Sequence, residues 1–109
     1  MEKILKENTY TNDLDQEITE IELDNGTTIK RTKLSDGRQL DVYPLKWKDQ
    51  VKIQRLAGED SENMVFAMAA AACKIDGKEL PMEDYQELDY MDGVLIQSLF
   101  IKKKFQQNK

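Results

Sequence analysis

The stretch Ile18-Thr19-Glu20-Ile21-Glu22-Leu23-Asp24-Asn25-Gly26-Thr27-Thr28-Ile29-Lys30 decides the fold. Two β-branched runs flank Asn-Gly, the strongest short-range hairpin signal, because both central positions of the tightest hairpin turn need positive φ. A second turn follows at Ser35-Asp36-Gly37-Arg38, flanked by Thr32-Lys33-Leu34 and by Gln39-Leu40-Asp41-Val42-Tyr43. Leu40 and Val42 share one face of a strand, and Pro44 ends it because proline cannot donate to a ladder. Ile29 and Leu34 have opposite parity, so the middle segment calls for a bulge or a break near Arg31. Residues 17–45 therefore read as antiparallel hairpins forming a sheet of three or four strands.

Beyond Leu45 the pattern turns helical. Trp47 to Ala57 reads as a helix stopped by Gly58, although its apolar stripe is poor: Trp47 pairs with Val51 while Ile53 and Leu56 fall elsewhere. Asp60 or Ser61 caps the next helix, with Glu62 in its first turn. That helix holds ten consecutive apolar residues, Met64 through Cys73, and is expected to end near Lys74. Four consecutive alanines and two methionines favour helix, and a helix apolar all round must be covered all round. It is either the centre of a small core or part of a surface that a partner covers. Ile75-Asp76-Gly77-Lys78 is a turn, and Pro81 opens a short helix through Leu88. Asp89 caps a last helix from Tyr90 to about Phe105, with Met91, Leu95 and Leu99 recurring at helical spacing and Lys102, Lys103 and Lys104 at its C-terminal end. Strands followed by about four helices over 46–106 make an α+β domain at 17–109. Residues 1–16 lack periodicity and read as a flexible acidic arm.

The chain's 109 residues suit one domain, and its net charge is −5. The charge is segregated: residues 1–24 carry eight acids and two lysines, 27–56 eight bases and three acids, and 76–92 seven acids and one lysine. Such blocks are solvated faces, or they complement one another within the fold or between copies placed head to tail. Overall acidity with few aromatics argues against nucleic acid, and no apolar run is long enough for a membrane span. The N-terminus lacks a signal-peptide pattern and the single cysteine, Cys73, cannot form an internal disulfide, so a cytosolic protein is expected. No histidine is present, which removes the commonest general base and metal ligand. No phosphate-cradling glycine motif occurs. Glu83 with Asp84, or Asp89 with Asp92, is explained by capping and solubility better than by paired-carboxylate chemistry. No catalytic residue, cofactor or metal site is expected, leaving a binding or assembly role.

Leu34-Ser35-Asp36-Gly37-Arg38, Leu40-Asp41-Val42-Tyr43-Pro44-Leu45, Lys46-Trp47-Lys48-Asp49, Leu56-Ala57-Gly58-Glu59-Asp60, Leu80-Pro81-Met82-Glu83-Asp84 and Leu88-Asp89-Tyr90-Met91-Asp92 occur in that order. The succession resembles the tail assembly chaperones of long-tailed phages, of the Mu-like tail assembly protein type, over roughly residues 18–105. It departs from them in Trp47 and in the long acidic arm. The resemblance implies binding of the tape-measure protein, and with it the tail tube protein, in the cytoplasm of a bacterial host. A methionine-bearing helical surface suits a long, partly apolar helical client. Met64, Phe66 and Met68, or Leu95, Leu99 and Phe100, are the candidate contact residues, though each taken singly is better explained as core. Such chaperones are often made in a frameshifted longer form, and Lys102-Lys103-Lys104 is compatible with a slippery adenine run. Alternatives are a permanent tail or connector component and a small acidic regulator that binds a host protein. Self-association stays open.

Overall fold

A computed structural model describes residues 3–100 of the chain. Five antiparallel strands form one sheet in chain order: β1 (Ile4–Thr11), β2 (Glu17–Leu23), β3 (Thr28–Lys33), β4 (Gln39–Val42) and β5 (Cys73–Ile75). Between β4 and β5 lie α1 (Asp49–Ala57), a short 3-10 turn at Ser61–Asn63 and α2 (Met64–Ala72). After β5 come α3 (Met82–Gln86) and α4 (Tyr90–Phe100). The architecture is the expected α+β, with five strands rather than three or four.

The turns explain the register. At Asp24-Asn25-Gly26 the loop has three residues: Gly26 N–H donates to Leu23 O at 3.0 Å and Leu23 N–H to Thr27 O at 2.8 Å. Gly26 alone takes a positive φ, 87°, so Asn25 is not the left-handed partner that a two-residue turn requires. Its side chain instead accepts the Thr27 N–H at 2.9 Å. Leu34–Arg38 repeats the design, with Gly37 at φ 93°. The two-residue turn with both φ positive occurs at Asp76 and Gly77 (53° and 80°).

No bulge occurs near Arg31. Thr28–Lys33 runs in continuous register against both neighbours, with Ile21 opposite Ile29 and Thr32 opposite Leu40. The parity conflict is resolved by using both faces of the sheet. Leu34, Ile18, Leu40, Val42, Cys73 and Ile75 join Leu95, Ile96 and Leu99 of α4 in the main core, whereas Ile29 packs with Ile21 and Leu23 in a second cluster against Tyr43.

Three further expectations are corrected. Residues 4–11, read as part of an arm, form β1, which pairs along its length with β2. Tyr10 tucks against the main core, and the Thr9 and Thr19 hydroxyls lie 3.0 Å apart across the pair. The apolar run does not stay helical to Lys74. After Ala72 it becomes β5, because Cys73 and Ile75 can each fill the main core opposite Val42 and Leu40. Of the α1 stripe, Ile53 and Ala57 face inward, while Trp47 and Val51 are exposed.

The caps follow the sequence. Asp60 accepts the Glu62 N–H at 2.9 Å, Asp89 accepts the Met91 N–H at 3.2 Å, and Gly58 ends α1 at φ 67°. The expected continuation to Phe105 and the lysines at 102–104 lie outside the described residues.

Candidate functional site

The surface around α2 follows from its composition. Ala67, Ala69, Ala70 and Ala72 are buried, and their small side chains let α1 and α3 approach closely. The larger Met64, Val65, Phe66 and Met68 are half-buried and reach outward. Four of the run's five alanines are therefore core, and its bulkier residues border the surface.

On one flank, α2, α3 and α4 enclose an apolar cleft of about 370 Å³. Phe66, Ala69 and Ile96 line its depth, and Tyr90, 81 % exposed, stands at its mouth beside Asp89. Gly93 of α4 helps open the cleft, because a Cβ placed there meets no atom within 4 Å. The volume falls in the ~300–1,000 Å³ range of clefts that hold a ligand or an inserted side chain. Residues 79–100 contain six acids, Asp89 at the cleft among them, and no lysine or arginine.

On another face of α2, Met64 and Met68 join Leu45, Lys46, Trp47, Gln50 and Ile53 around an open hollow of about 400 Å³. The turn into α1 makes Trp47 project. Asp49 accepts the Lys46 N–H at 2.8 Å, and Gln50 N–H donates to Trp47 O at 3.0 Å. The indole is left 87 % exposed, with Val51 at 61 %. The segment 46–55 that carries it holds Lys46, Lys48, Lys52 and Arg55 against one acid, Asp49, and Lys52 Nζ lies 3.8 Å from Glu79.

The six candidate contact residues do not all form one surface. Phe66 lines the cleft, Met64 and Met68 the hollow, and Met68, Leu99 and Phe100 share a smaller recess of about 250 Å³ with Tyr43 and Pro44. Leu95 and Leu99 are 4 % and 6 % exposed and belong to the main core, with Leu99 also at the floor of that recess. Met91, expected in their stripe, is 54 % exposed instead. Sequence reasoning passed over Trp47 and Tyr90 as contacts. The signal for the first was available: an indole between two lysines, out of phase with the buried Ile53 and Ala57.

The polar groups with restricted exposure have structural work. Asp92, 6 % exposed, accepts the Ser35 N–H at 2.9 Å and the Ser35 hydroxyl at 2.8 Å, clasping α4 to the β3–β4 turn. Asp41 receives Arg31 through two nitrogens, at 2.7 and 3.2 Å, and this hydrogen bonding holds the guanidinium even more firmly protonated than usual. Lys30 Nζ donates to Leu99 O at 3.1 Å, near the end of α4. The Tyr85 hydroxyl donates to Cys73 O at 3.3 Å, and burial raises its pKa. Burial likewise pushes the Cys73 thiol up to about 12, so it is neutral and a poor nucleophile at physiological pH. Glu83 and Asp84 are exposed on α3. No three potential metal-ligating side chains cluster among the described residues. What the arrangement can do is bury apolar side chains of another chain. No described helix is long and apolar enough to cross a membrane. Comparisons with protein-family models, curated proteins and solved structures find no match to this chain.

Proposed function

We propose that this protein is a tail assembly chaperone of a long-tailed phage or prophage, acting without catalysis in the bacterial host's cytoplasm on the tape-measure protein. The observation that carries the reading is the apolar cleft between α2, α3 and α4, with Phe66 inside and Tyr90 at its mouth. A groove walled by helices suits an amphipathic helical segment, recognised by apolar anchors at helical spacing. A tape measure is a long run of such segments, which aggregate unless covered. Several chaperone copies along one client give avidity from individually weak sites. The order of turns and caps from Leu34 to Asp92 supports the same assignment.

The test is co-expression with the tape-measure protein. Wild-type protein is expected to keep the client soluble and to co-purify with it. Tyr90→Glu places a charge at the mouth of the cleft on an exposed position, so folding is retained while client solubility falls. A client that stays soluble and bound with the variant removes the cleft from the reading. A client that is insoluble even with wild-type protein removes the function.

A further inference from the structure

We propose that the α2–α3–α4 cleft is also the docking site for Trp47 of a second copy of this chain, giving a head-to-tail contact. The proposal concerns the protein alone and stands or falls independently of any client.

Three observations meet here. The first is a knob. Trp47 is the chain's only tryptophan and the most exposed of its large apolar side chains in the described region, at 87 %. Asp49 holds the turn that presents it. An aromatic side chain contributes ~150–250 Å² to an interface, which is why exposed tryptophans dominate contact energetics. The second is a hole. The cleft offers about 370 Å³, lined mainly by apolar side chains, with Gly93 leaving space above α4. The third is charge. Four bases and one acid lie in residues 46–55, against six acids and no base in residues 79–100. Lys52 and Glu79 already lie 3.8 Å apart within one chain. The remaining bases, Lys46, Lys48 and Arg55, favour the carboxylates of 83–92, with Asp89 at the cleft, over a second basic segment.

Knob and hole also lie on different faces of α2: Met64 and Met68 border the Trp47 hollow, while Val65, Phe66 and Ala69 border the cleft. The contact is therefore heterologous and leaves a free knob and a free hole on the resulting pair, so further copies can add. The lysines around Trp47 then face the carboxylates of α3 and of Asp89 in the neighbour. Without a client, this contact covers the two most exposed large apolar side chains of the described residues, Trp47 and Tyr90, at once.

The indole is its own reporter. Fluorescence and sedimentation of the full chain are measured over a concentration series at low and high salt. Mass is expected to grow with concentration, Trp47 emission to shift to the blue in step, and salt to reverse both. Trp47→Ala removes the knob at a fully accessible position. Gly93→Leu fills the hole and favours helix, so both variants keep their circular dichroism. Each alone is expected to associate ~30-fold or more weakly, the scale of an interface hot spot. Mixing them restores a one-to-one pair, because one supplies the knob and the other the hole, and the pair cannot extend. The proposal is overturned if the wild-type chain stays monomeric, if emission does not move as mass grows, if either variant associates like wild type, or if the mixture fails to pair.

Discussion

The two faces of the sheet solve the same problem differently. The inner face, carrying Ile18, Leu40, Val42, Cys73 and Ile75, is apolar and roofed by helices. The outer face buries only Ile21, Leu23 and Ile29 against Tyr43, then turns ionic with the Arg31–Asp41 pair and with Lys74 Nζ 5.0 Å from the centre of the Tyr43 ring. Strand β2 serves both, giving Ile18 to the first and Ile21 and Leu23 to the second. A mixed parity of apolar residues is thus no defect of register but the mark of a strand shared between two clusters.

Four measurements sharpen or break that contrast. The largest effect is expected at Leu40, 0 % exposed in the main core, where Leu40→Ala should lower unfolding free energy by about 4 kcal/mol in urea titration. Ile29→Ala, in the three-residue outer cluster, should cost about 2 kcal/mol, near the lower end for such truncations. Equal losses at the two sites would mean that the outer cluster is as much a core as the inner one.

Third comes pH. The folded thiol of Cys73 titrates near 12 against an ordinary 9.0, so between those values the unfolded chain sheds a proton that the folded chain keeps. Stability is unaffected by this group below pH 9 and falls above it, with a slope of at most about 1.4 kcal/mol per pH unit. Cys73→Ala should flatten that slope. An unchanged slope would show that Cys73 is not where the burial is felt. The smallest effect is the coupling of Arg31 with Asp41. Arg31 is 36 % exposed, so a double-mutant cycle should give about 0.5–1 kcal/mol and shrink with salt.

Much of the fold was legible. The hairpin loops at Gly26 and Gly37, the stop at Gly58 and the caps at Asp60 and Asp89 are local signals that act through a few backbone bonds, and they appear where the residues put them. What was illegible depends on distant chain. Nothing local says that Cys73–Ile75 should leave a helix, because the reason is the edge of β4 more than thirty residues earlier. Likewise β1 reads as an arm because its side chains are nearly all exposed, and its strand character comes from its backbone pairing with β2. At the candidate site, Phe66 and the methionines stood out by composition. Leu95 and Leu99 followed the helical period, which marks the face of α4 that joins the main core. Tyr90 lies off the α4 stripe, and Trp47 pairs only with the equally outward Val51, which is why a search for buried stripes passes them by.

Helix α2 runs into β5 at Ala72–Cys73 without a single intervening loop residue, and the Tyr43 N–H bonds to Ala72 O at 2.8 Å at that junction. The segment is in effect a welded beam, clamped at its far end by the sheet. It has no hinge about which to swivel when something enters the groove alongside it. Asp92 and Tyr85 pin α4 and α3 in turn, so room for a bulkier guest comes first from the exposed side chains at the mouth, Tyr90 among them.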